Sequence, residues 1–178
     1  MAKQRSLDAE FVHPNKIGLK DCFGYAFGDA AKKLRSSGLV ELITEEAKSG
    51  KPFLGICLGL QVLLSSSDEA PGVKGLDIFK GHVARIPEGR KIPHMGWNQI
   101  RLTKDCPILE GVDGRDFYFV HSYHAVLDDA ENLSATADYG FDVTAAVSRD
   151  NVFATQFHPE KSGETGLNIL KAFCEIGE

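Results

Sequence analysis

Phe53-Leu54-Gly55-Ile56-Cys57-Leu58-Gly59, running on into Leu60-Gln61-Val62-Leu63-Leu64, decides the fold of this chain. A short apolar run enters a cysteine flanked by glycines and continues through further apolar residues. That pattern predicts a buried strand that turns sharply through Cys57 into a helix, a nucleophile elbow. The glycines suit a turn whose backbone is strained and whose neighbouring strands pass too close for a Cβ. Such a turn lifts the sulfur out of the sheet at a helix N-terminus, where partial positive charge favours thiolate. The competing reading of the same residues is a structural turn made of small side chains.

A second motif lies far downstream, in Thr155-Gln156-Phe157-His158-Pro159-Glu160. His158 and Glu160 are two apart, so at an extended strand end their side chains lean toward one face. A carboxylate there orients an imidazole, and the imidazole takes a proton from Cys57. Nucleophile, base and orienting group are what acyl transfer through a thioester requires. Alone, His158 reads as a satisfied histidine at a strand end. Paired with the elbow, it reads as catalytic.

Pro52 to Gln61 and Gln156-Phe157-His158-Pro159-Glu160-Lys161-Ser162 resemble the two signatures of the class I, triad-type glutamine amidotransferases. Pro93-His94-Met95-Gly96-Trp97-Asn98 and Phe117-Tyr118-Phe119-Val120-His121-Ser122-Tyr123 are similar to one branch of that family, the glutaminase subunit of imidazole glycerol phosphate synthase. The similarity runs from about Ala26 to the C-terminus. It implies a catalytic set of Cys57, His158 and Glu160 and a glutamine-binding set of Gly59, Gln61, His121, Ser122 and Tyr123. Gln61 stands one helical turn after Cys57, where its amide faces the same pocket. The segment His121 to Tyr123 ends an apolar strand and would hold the amino-acid end of the substrate, largely through main chain.

The resemblance also implies a partner, the cyclase subunit, docked on Pro93, His94, Met95, Gly96, Trp97, Asn98 and Lys161, with the ammonia passage opening there. Trp97 is the one tryptophan of the chain. Core packing is the usual place for such a residue, while aromatic and Met side chains are also typical of interface centres. The loop Asp68-Glu69-Ala70-Pro71-Gly72 reads as solvated and without a chemical task.

Composition sets the outer bounds. The 178 residues read as one domain, 1–178, with a core of real size. Hydrophobic content of 43%, charged content of 25%, a net charge of -5 and a pI near 5.7 suit a globular protein without a nucleic-acid surface. No apolar run approaches a membrane span, and the first residues lack a signal-peptide core. Cys22, Cys57, Cys106 and Cys174 show no paired spacing, so neither disulfides nor zinc is expected and the cytoplasm is the expected compartment. No cluster calls for a metal or an organic cofactor.

The apolar periodicities predict a helix over Asp29–Glu46, with Leu34, Leu39, Leu42 and Ile43 on its apolar side, a strand over Phe53–Ile56 and a helix from Leu58 to about Ser66. Short strands are expected near Leu76–Ile78, His82–Ile86, Gln99–Leu102, Asp116–Val120, His124–Leu127, Leu133–Ala137, Thr144–Ser148 and Val152–Gln156. A closing amphipathic helix over Gly163–Ile176 puts Leu167, Leu170, Ala172 and Phe173 toward the core. The sum is an α/β protein: an open, mostly parallel, flavodoxin-like sheet flanked by helices, with an antiparallel portion and the site at the carboxyl ends of parallel strands.

The start departs from the family. Members carry a hydrophobic first strand and a Pro-Gly-Val-Gly-like turn before the segment matched by Ala26-Phe27-Gly28-Asp29. Here Cys22-Phe23-Gly24-Tyr25 stands in place of that turn, and only Ala9–His13 reads as a strand, so the first strand and the one before the turn read as missing. That turn supplies an oxyanion donor in the family, and losing one such donor costs on the order of 10²–10³ in rate.

The expected activity is hydrolysis of glutamine, with ammonia passed to the cyclase for histidine biosynthesis. The alternatives are a non-catalytic or impaired binding subunit of the same fold, or a glutaminase serving anthranilate or pyridoxal phosphate synthesis. Pro93 to Asn98 argues against the last.

Overall fold

The computed structural model describes residues 9–13, 16–19 and 26–176. Strands β1 (Ala9–His13), β2 (Lys16–Leu19) and β3 (Phe53–Ile56), helices α1 (Phe27–Ser36), α2 (Leu39–Lys48) and α3 (Leu58–Val62) form the first third. Then come β4 (Ser66–Ser67), β5 (Gly81–Arg85), β6 (His94–Leu102), β7 (Asp116–His121), β8 (Tyr123–Leu127), β9 (Leu133–Asp138), β10 (Asp142–Arg149), β11 (Val152–Thr155) and α4 (Gly163–Glu175).

Among the described residues, the main sheet has eight strands in the order β1-β2-β3-β11-β10-β9-β6-β7. The run β2-β3-β11 is parallel, and β10-β9-β6-β7 continues it antiparallel. A small sheet, β4-β5-β8, stands beside it. Because side chains alternate along β3, Phe53 joins the apolar layer under α1, α2 and α3, and Leu54 joins the layer with Phe117, Phe157 and Phe173 under α4. The site therefore sits where the central parallel strands end between two packed layers.

Several expectations are corrected. A strand does precede α1: β2 pairs in parallel with β3, Ile17 opposite Phe53 and Leu19 opposite Gly55. The expected oxyanion turn, Cys22 to Tyr25, lies outside the described residues. The helix over Asp29–Glu46 is two helices, because Gly38 takes a left-handed φ of 69° that a continuous helix cannot contain. The break re-aims the second half, so Leu42 is 40% exposed while Ile43 and Ala47 face the core.

α3 stops at Val62, and Leu76–Ile78 is not a strand, for one shared reason. The carbonyls of Val62, Leu63 and Leu64 accept from the amides of Leu76, Ile78 and Asp77 at 2.7, 2.9 and 3.2 Å. The segment caps the helix end, using the hydrogen bonds that a strand would need. Gly75 makes the approach possible, since a Cβ there would lie 1.9 Å from the Leu64 carbonyl oxygen. β6 begins at His94, well before the expected Gln99, because its partner β7 pairs with it from His121 opposite His94 onward. In α4 the buried stripe is Gly166, Ile169 and Phe173, and Leu167 is 57% exposed.

Candidate active site

Cys57 connects β3 to α3 with φ 53° and ψ -106°, a conformation that L-residues rarely hold. Two contacts enforce it. The Cys57 amide donates to the Thr155 carbonyl at 2.7 Å, tying the turn to the end of β11. A Cβ on Gly55 would come within 3.0 Å of the Gly59 backbone and 3.2 Å of Ala154, so only glycine lets the helix fold back so tightly. Gly59 thus packs under the elbow and does not line the pocket.

β11 delivers the second motif. After Thr155 the Gln156 amide donates to the Ala145 carbonyl at 2.8 Å and the His158 amide to the Tyr118 carbonyl at 2.9 Å, so the chain crosses from β10 toward β7. Pro159–Lys161 then winds one 3-10 turn, where a strand end was expected. The turn brings the Glu160 carboxylate 3.0 Å from His158 Nδ1. A carboxylate accepts, so Nδ1 carries the proton and Nε2 is left to accept. Nε2 is buried and has no hydrogen-bond partner among the described residues. Ser162 fixes the assembly by donating to the His158 carbonyl at 2.6 Å and accepting from the Tyr118 amide at 2.9 Å.

A small pocket opens above the cysteine, lined by Cys57, Leu58, Gln61, Glu69, His121 and Tyr123, among others. Gln61, His121, Ser122 and Tyr123 are thus brought together with Cys57, as the sequence predicts. Gln61 Nε2 donates to the Tyr123 carbonyl at 2.9 Å and to Gln156 Oε1 at 3.2 Å.

Two polar residues of the site escaped the sequence reading. Gln156, fully buried, donates its amide to Cys57 Sγ at 3.6 Å, within reach for a sulfur acceptor. It stood inside the quoted motif, and its neighbours drew the attention. Glu69 belongs to the loop taken as solvated, yet it lines the pocket and its Oε2 accepts from the Phe27 amide at 2.7 Å. No periodicity could signal a contact across 42 positions.

The expected partner segment divides in two. Met95 and Trp97 are 59% and 58% exposed on β6, with Pro93, Gly96, Asn98 and Lys161 half-buried. His94 points inward: it is buried, stacked between Phe119 and Tyr139, and hydrogen-bonded to His121. It cannot offer its ring to a partner, which corrects that expectation. Alternation along a strand explains the split.

Comparison with known proteins agrees with this geometry. PurLQS from Thermotoga maritima has the same fold, with a TM-score of 0.68 at 22% identity over 94% of this chain and 82% of that one. The imidazole glycerol phosphate synthase subunit HisH of Methanothermobacter thermautotrophicus is 56% identical over 151 residues, 85% of this chain and 75% of its own length. The subunit of the same name from Syntrophotalea carbinolica is 53% identical over 159 residues, 85% of this chain and 77% of its own length. Residues 26–176 match the class-I glutamine amidotransferase family, and the chain belongs to it.

Proposed function

We propose that this chain is the glutaminase subunit of an imidazole glycerol phosphate synthase, acting in the cytoplasm and passing ammonia to a cyclase partner in histidine biosynthesis. The observation that carries the reading is a positive-φ cysteine at the end of β3 and, just past the end of the adjacent parallel strand β11, a His158–Glu160 pair 3.0 Å apart. HisH relatives at about half identity support the branch.

Cys57 attacks the side-chain amide carbon of glutamine, and its proton passes to His158 Nε2. Glu160 holds the imidazolium that forms. The oxyanion takes a hydrogen bond from the Leu58 amide, one of the first-turn donors that a helix leaves unpaired. His158 then protonates the departing nitrogen, ammonia leaves, and a thioester remains. Water, deprotonated by His158, releases glutamate. The Glu69 carboxylate suits the substrate ammonium, and carbonyls at the end of β7 suit the same end of the molecule. The exposed Met95 and Trp97 supply an apolar surface for the cyclase.

The test is glutamate release by the purified chain with and without a cyclase subunit. Glutamine turnover should depend on the partner and vanish in Cys57→Ala. A chain that binds the cyclase but never releases glutamate would favour a non-catalytic subunit.

A further inference from the structure

The polar groups buried between β6 and the pocket form a chain whose protons are fixed by donor and acceptor chemistry. The Tyr123 carbonyl can only accept, so His121 Nδ1, 2.9 Å away, carries a proton. Burial pushes His121 down to about 3, so at neutral pH the ring holds a single proton and its Nε2 accepts. His94 Nδ1 lies 3.0 Å from that Nε2 and is the donor. Burial also lowers His94 to about 4, leaving its Nε2 to accept from the Asn98 amide at 3.3 Å. Asn98 also donates a hydrogen bond to the Asp138 carbonyl, at 2.8 Å.

From Asn98 through His94 and His121, each donor is directed toward the Tyr123 carbonyl. The His94 ring is clamped by stacking, 4.7 Å from Phe119 and 4.0 Å from Tyr139 between centroids. Past His121 the connection continues, because the Tyr123 carbonyl also accepts from Gln61 Nε2 at 2.9 Å. Gln61 in turn donates to Gln156 Oε1 at 3.2 Å, and Gln156 Nε2 to Cys57 Sγ at 3.6 Å. The strand that begins this connection is the one exposing Met95 and Trp97.

We propose that His94 is a positioning residue for amide cleavage: through His121 it holds the Tyr123 carbonyl, which holds Gln61 and Gln156 against the nucleophile. This rests on the glutaminase reading of the pocket. Misplacing a reacting group by a fraction of an ångström slows a reaction that depends on orientation, so the loss should fall on turnover.

Two measurements decide it. Long-range ¹H–¹⁵N spectra of the full chain near about pH 7 should find His94 and His121 both neutral with the proton on Nδ1. Free imidazole side chains favour the opposite tautomer, so an Nε2 proton on either ring overturns the relay. Separately, His94→Phe keeps the stacking and removes the hydrogen bonds, while His94→Asn keeps a donor near Nδ1 and removes the stacking. With the cyclase present, kcat should fall about tenfold in H94F and stay within about threefold of the unchanged chain in H94N. A purely structural ring reverses that order, and H94F turning over as fast as H94N overturns the proposal. If the unchanged chain releases no glutamate, the glutaminase reading fails while the tautomers still decide the relay.

Discussion

At the scale of single residues, burial separates side chains of one type into different roles. Cys106 sits in the core, and burial pushes its thiol pKa up, while Cys57 stands at a helix start beside a pocket. Limiting iodoacetamide should therefore label Cys57 well before Cys106, as peptide mapping will read. The buried histidines make a prediction of stability. His94 and His121 titrate at about 4 and about 3 in the fold, against 6.5 for an ordinary histidine. Between those values the unfolded chain binds more protons than the folded one. Stability is then complete above about pH 6.5 and falls with acidification, by about 1.4 kcal/mol per pH unit for each histidine. Urea titrations across that interval should show the decline, and H94F should show a shallower one. A flat profile would mean that both rings take protons in the folded state.

At the scale of elements, the sequence revealed what local pattern controls and missed what distant hydrogen bonds control. The elbow, β11, α4 and the strands from β7 to β10 were legible because apolar spacing and turn residues define them. Cys57, His158 and Glu160 stood out as candidate site residues because the glycine-flanked turn and the His-Pro-Glu motif mark them locally. Leu76–Ile78 reads as a strand by composition, yet its amides go to the end of α3. Glu69 and Gln156 were illegible as site residues because their partners lie 42 and 99 positions away. The Gly75 contact measures how tightly that cap is built. Gly75→Ala puts a methyl against a backbone oxygen that cannot swing aside and should cost about 2 kcal/mol or more, seen as a lower denaturation midpoint. An unchanged midpoint would show that the 76–79 segment lifts away freely.

At the scale of the whole molecule, the pocket and the exposed β6 residues are two ends of one structural unit. β6 pairs with β7, and β7 ends in the pocket. Met95 and Trp97 therefore offer an apolar surface rigidly connected to the site. Trp97→Ala should weaken cyclase binding by about 2 kcal/mol, a shift of roughly thirtyfold in Kd by titration, with little change in the melting of the isolated chain. Strong loss of melting temperature with unaltered affinity would return Trp97 to a packing role.

The backbone of Cys57 sets reactivity against durability. At φ 53° any side chain beyond hydrogen is strained, by about 1–3 kcal/mol, while glycine is at ease there. On the proposed mechanism Cys57→Ala and Cys57→Gly should both lose turnover, but only the glycine variant should relax the turn. It should melt at a higher temperature than the alanine variant in differential scanning calorimetry, with the difference worth about 1–3 kcal/mol. Equal melting would mean that the elbow carries no strain. A thermal screen of random variants that ignored glutamine hydrolysis should thus favour glycine at position 57, against the side chain that the proposed chemistry needs there.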